Sequence, residues 1–128
     1  MSERNEIDAE KLADLLAKVT AATGPDIEID AALYVLEVPR MADVLPHWSD
    51  VQKRDLITPY TASIDAALAL VERMLPGWGV SLHIGDTGAS CAVSKPVKFE
   101  EIWGSAPTVP LAILAALLSA LSSQNGAV

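Results

Sequence analysis

Cys91 and His83 are the two side chains of this chain best suited to nucleophilic chemistry, a thiol and a base capable of activating it. Their spacing works against that use. With Gly85-Asp86-Thr87-Gly88 read as a four-residue hairpin loop, Ile84 faces Ala89, His83 faces Ser90 and Leu82 faces Cys91. Side chains alternate faces along a strand, so His83 and Cys91 point to opposite sides of the sheet. Cys91 reads as a small core residue and His83 as a surface or interface histidine. One Cys and two His (His47 and His83) make no zinc-like spacing. Glu10, Asp14, Glu28, Glu37 and Glu72 fall on polar helix faces and read as solvated, while the adjacent pair Glu100-Glu101 points opposite ways on a strand. The glycine-rich loop 85–88 leads into no helix and has no lysine after it, so it is a turn and not a phosphate cradle. No catalytic constellation emerges. The expectation is a protein that is not an enzyme and uses no metal or cofactor.

Binding chemistry is the remaining possibility, and the cations mark where to look. The net charge is −8, from 17 acids against 9 bases, which does not favour a nucleic-acid polymer. A small phosphorylated ligand needs only a local pocket. Lys53 and Arg54 lie close in sequence to Trp48 and Tyr60, and Lys95 and Lys98 lie close to Phe99 and Trp103. Arg73 stands near the end of a helix. Cations beside aromatic faces offer charge for phosphates and stacking for a base. The candidate ligand-binding set is therefore Arg54, Tyr60, Arg73, Lys95, Lys98, Phe99 and Trp103. The competing reading of each is a solvated cation or a core aromatic. Arginine is scarce here: four are present, and Arg4 belongs to a terminus expected to fray.

The elements that must position these groups follow from hydrophobic period. Leu12, Leu15, Leu16 and Val19 predict a helix over about 8–22, ended by Gly24. Pro25-Asp26 open a second, with Ile29, Ala32, Leu33 and Leu36 inward and Pro39 as its stop. Residues 38–60 are irregular, punctuated by Pro39, Pro46 and Pro59, with a short helix available from Ser49 through Leu56. This is a candidate functional loop. Thr61 is read as the cap of a third helix that turns Ile64, Ala67, Leu68, Val71 and Leu75 inward. The period then changes to two. Val80, Leu82 and Ile84 mark a half-buried strand, Ala89–Ser94 a second, and a weaker third lies within 97–103. Thr108 caps a last helix whose buried side is Leu111, Leu114, Leu117, Leu118 and Leu121, before a tail at 122–128 expected to fray.

The fold class is α+β, a three-stranded antiparallel meander packed with helices in the order α-α-α-β-β-β-α, as one domain over 1–128. Without a second cysteine no intrachain disulfide forms, so a reducing compartment is expected. The opening MSERNEIDAEKLAD lacks the apolar stretch of a signal peptide. The longest apolar run, Val109 to Leu121, falls short of the roughly 20 residues a bilayer span requires. A cytoplasmic protein without membrane contact is expected.

Two segments carry a family resemblance. The first is Ala21-Ala22-Thr23-Gly24-Pro25-Asp26-Ile27-Glu28-Ile29-Asp30-Ala31-Ala32. The second is Pro59-Tyr60-Thr61-Ala62-Ser63-Ile64-Asp65-Ala66-Ala67, leading through Val71-Glu72 to Pro76-Gly77-Trp78. With the alanine-rich helix after Ala106-Pro107-Thr108, they resemble the phage ABA sandwich domain family and cover about half the chain. The resemblance implies a phage or prophage protein acting in the cytoplasm of an infected bacterial host. It also implies kinship with the Thoeris anti-defence proteins, homo-oligomeric sponges that sequester cyclic ADP-ribose isomers, and in some cases cyclic oligonucleotides, without degrading them. Those sponges use arginines and aromatics at subunit boundaries. A second reading is a phage accessory protein that binds another protein. A third, a double-stranded-RNA-binding module, matches only the helix-strand-strand-strand-helix order and is opposed by the acidic balance. Ile102, Trp103 and the apolar last helix exceed what one covering layer can bury, so an oligomer is expected.

Overall fold

The structure is a computed structural model and describes residues 9–96 and 100–126. Helix α1, Ala9–Ala21, buries Leu12, Leu15 and Val19 along one stripe. Helix α2, Ile27–Glu37, begins one step later than its Pro-Asp pair suggests. Asp26 is its N-cap, in extended conformation, and its carboxylate accepts from the amides of Glu28 and Ile29. Two short helices follow, α3 at Met41–Val44 and α4 at Asp50–Leu56, with a 3-10 turn at Leu45–His47 between them. The segment expected to be irregular is thus largely helical. The start of α4 is set by a capping box in which Ser49 and Gln52 satisfy each other's backbone amides. Neither α3 nor α4 buries a residue; Leu45, Ile57 and Tyr60 anchor this excursion.

Helix α5, Ile64–Met74, is capped by Ser63, not by Thr61. Its inward face is Ala67, Leu70 and Val71, with Leu75 just beyond, while Ile64 is exposed and Leu68 half-buried. Thr61 is engaged elsewhere. It receives the Asp26 amide on Oγ1 at 2.8 Å and donates both its amide and its hydroxyl to Asp30 Oδ1, each at 2.8 Å. The two segments that carry the family resemblance are therefore hydrogen-bonded to one another.

Strands β1 (Gly79–Gly85), β2 (Gly88–Ser94) and β3 (Glu101–Ala106) form an antiparallel sheet in the order β1-β2-β3. The turn sets the expected register: Ile84 pairs Ala89, His83 pairs Ser90 and Leu82 pairs Cys91. Strand β3 lies later than the span 97–103, and residues 97–99 fall outside the described ones. The element order is the expected one, with α3 and α4 added.

Helix α6, Val109–Gly126, packs against β2 and β3 on one side and against α1 and α5 on the other. It was expected to have one buried side, yet every residue from Leu111 to Leu118 is buried, as are Ala120 and Leu121. The alanines meet small partners. A Cβ built on Gly104 would lie 2.3 Å from the Ala116 amide nitrogen, so β3 and α6 touch backbone to backbone there. The helix continues through Ser122 to Gly126, where fraying was expected; residues 127–128 lie outside the described ones.

Strand β1 departs most from expectation. All seven of its residues are exposed, and Ile84 reaches 75%. Val80, Leu82 and Ile84 share the sheet face of Cys91 and Val93, but α6 lies mainly over β2 and β3 and leaves them partly exposed, Ile84 most of all.

Candidate functional site

The fold separates most of the ligand-binding set. Tyr60 is 1% exposed and offers no stacking face; its hydroxyl donates to Glu37 Oε1 at 2.8 Å. Arg73 grips the same carboxylate with its guanidinium fork, from Nε to Oε2 and from an Nη to Oε1 at 3.1 Å. Both residues thus form a structural clasp between α2, α5 and the turn at 59–63; burial denies Tyr60 the stacking role expected of it, while the Arg73 side chain stays half exposed. Glu37 is correspondingly not a solvated surface carboxylate. The hydrogen bond from Arg73 holds its carboxyl below the usual range. Burial, with the hydrogen bond to Glu37, pushes the Tyr60 phenol up to about 12, and Glu37 in turn raises the Arg73 guanidinium.

Lys95 pairs with Glu100 at 3.2 Å. Lys98 and Phe99 lie outside the described residues. Arg54 is exposed on α4 and has no ion pair or hydrogen bond among the described residues. A second acid, Asp30, is 6% exposed and satisfied by Thr61; burial raises its carboxyl above the usual value.

Trp103 lies as expected at a surface, 48% exposed. Its partner was not foreseen: the indole lies against the His83 imidazole, ring centroids 5.3 Å apart and planes tilted by 35°. The pairing follows from register. Trp103 pairs Ala92, which pairs Ser81, so Trp103 shares a face with Ser81, His83, Ser90 and Ser105. Placing β3 at 97–103 hid this. The face is opposite to Cys91, and no nucleophile-base pair forms. Burial pushes the Cys91 thiol up to about 11.

Beside this aromatic pair, an open groove of about 640 Å³ runs over the hairpin end, lined on its polar side by His83, Ser90, Ser105, Thr87 and Thr20. The Ser90 and Ser105 hydroxyls sit 3.1 Å apart. The groove presents the His83 ring, with Trp103 tilted against it, and several hydroxyls, with no lysine or arginine in the lining among the described residues. It can stack a planar group and hydrogen-bond its edge. Among the described residues, no cluster of three His, Cys, Asp or Glu could hold a metal, and no helix is long and apolar enough to cross a membrane. Compared with protein-family models, with curated proteins and with solved structures, the chain matches none of them.

Proposed function

We propose that this chain is a phage or prophage anti-defence sponge, a non-catalytic protein that holds a small cyclic nucleotide immune signal intact. The observation that carries the reading is the exposed Trp103–His83 pair beside a hydroxyl-lined groove. A nucleobase or nicotinamide-derived ring can stack there, and the ribose hydroxyls can meet Ser90 and Ser105. The resemblance supplies the ligand class: cyclic ADP-ribose isomers or cyclic oligonucleotides. Holding without cleaving agrees with the opposed faces of His83 and Cys91. No lysine or arginine lines the groove among the described residues, so phosphate recognition falls, on this reading, to a group outside it, Arg54, an exposed arginine of α4 with no ion pair among the described residues.

The test is calorimetry against a panel of cyclic ADP-ribose isomers and cyclic dinucleotides, followed by recovery of unaltered ligand after heating. Trp103→Ala should weaken binding by about 1–3 kcal/mol, roughly 5- to 150-fold, as expected for the loss of one stacked ring. A panel in which nothing binds would end this reading.

A second reading, an accessory protein that binds another protein, is favoured by Val51 and Leu56. Both are 56% exposed on α4. Charged replacements at these two positions would abolish activity in an infected cell under this reading and leave it unchanged under the first.

A further inference from the structure

We infer that β1 is a self-pairing edge: two copies of this chain join their β1 strands antiparallel about Leu82 to make one six-stranded sheet. Four observations on the strand converge. It is an edge strand in the order β1-β2-β3, and every residue of it is exposed. The sequence Gly79-Val80-Ser81-Leu82-His83-Ile84-Gly85 contains no Asp, Glu, Lys, Arg or Pro, in a chain whose net charge is −8. Charged side chains and proline are the usual devices that keep an edge from pairing, and β1 has neither. Self-association of so acidic a chain is favoured where its surface is uncharged, and β1 is such a place.

The third observation concerns the backbone. Gly85 and Gly88 pair across the two-residue turn Asp86-Thr87. A turn that short closes on a hydrogen-bonded pair, and bonded pairs alternate along an antiparallel ladder. Residues 79, 81, 83 and 85 therefore bond to β2, and Val80, Leu82 and Ile84 present their N–H and C=O groups outward. The fourth is symmetry. Centring two β1 strands on Leu82 sets Leu82 opposite Leu82 and Val80 opposite Ile84 of the second copy, each as a bonded pair. The same register keeps faces matched, so the apolar row uncovered by α6 meets its own image. Three exposed aliphatic side chains per copy then gain neighbours, and six outward polar groups per strand gain partners.

The pairing stands on the strand alone. Its consequence for the ligand rests on the sponge reading. On the other face, the two His83 side chains become diagonal neighbours about 7–8 Å apart across the axis. Each carries its own Trp103, so the two aromatic walls join into one platform that a single copy lacks.

Sedimentation equilibrium at micromolar concentration should give a dimer mass. Register is read by cysteine cross-linking in a Cys91→Ala background. Leu82→Cys should form an interchain disulfide on mild oxidation, because bonded opposite residues have Cα atoms about 5.5 Å apart, within disulfide reach. Val80→Cys should cross-link at least about tenfold more slowly, since two copies of position 80 lie four residues apart along the strands, beyond disulfide reach. Val80→Cys mixed with Ile84→Cys should recover the fast rate. A monomeric wild type, or equal rates for Leu82→Cys and Val80→Cys, overturns the inference. Failure of every nucleotide to bind while this cross-linking pattern holds would remove the sponge reading and leave the pairing in place.

Discussion

Glu37 shows how a single carboxylate can reassign its neighbours. It draws Tyr60 from 23 positions away and Arg73 from 36, burying the phenol and tying the guanidinium at the surface. A sequence displays a side chain's repertoire; the partner that consumes it becomes visible only when distant segments meet. Trp103 keeps an exposed face although its indole lies against His83. The clasp has a defined pH signature. The Glu37 carboxyl is depressed in the fold, so its contribution is present above the ordinary carboxylate value and lost as pH falls through the folded one. The Tyr60 phenol is raised to about 12, so its contribution is full below about pH 10 and lost as pH climbs toward 12. Asp30, raised by burial, acts in the opposite sense to Glu37 and is better accommodated in acid. Tyr60→Phe should lower unfolding free energy by about 0.5–1.5 kcal/mol at neutral pH in urea titrations. The deficit should shrink above pH 10 as the wild type loses its own contribution.

At the level of elements, the legible features were those written locally. The hairpin turn fixed the β1–β2 register, and Ser49 marked the start of α4. Cys91 tests that register in solution. Buried, with its thiol pushed up to about 11, it should react with a neutral-pH thiol reagent only at the rate of opening of the fold, and rapid labelling would contradict the pairing. What remained illegible was coverage. Alternation in β1 shows which side chains share a face, but not that α6 stops short of them. Likewise, the sequence points to Thr61 as the cap of α5, and the proximity of Asp30, which diverts the threonine and leaves the cap to Ser63, shows only in the fold. The closeness of β3 to α6 was also hidden, though its sign is a glycine in a strand facing alanines in a helix. Gly104→Ala should cost at least about 1–3 kcal/mol, because the added Cβ meets helix backbone that has no rotamer to yield. Gly24→Ala, with nothing within 4 Å, is the neutral comparison in the same thermal melts.

For the whole molecule, the layers run from sheet to α6 to α1 and α5, and the fold class and order were readable because each period change is strong. The expected surplus of apolar surface was real but misplaced. Helix α6 consumes its own within the chain, Trp103 keeps its expected exposure, and the rest of the excess lies mainly on β1 and α4. Charge follows the same logic. Arg73 is held by Glu37, so under the sponge reading Arg54→Ala should weaken nucleotide affinity about ten- to hundredfold with an unchanged melting curve. Arg73→Ala should instead lower the melting temperature and leave affinity nearly intact. Calorimetry and melting on the same pair of variants separate the two roles. The central position of α6 also sets a timetable for synthesis. The surfaces that close on it, from α1 at residue 9 to β3 at residue 106, are all synthesised before residue 109 is added. At usual translation speeds the first helix waits on the order of 5–20 s for its core. During that interval a nascent chain carries two unfilled apolar walls, so folding is delayed until translation passes α6, and chaperones have that long to find it.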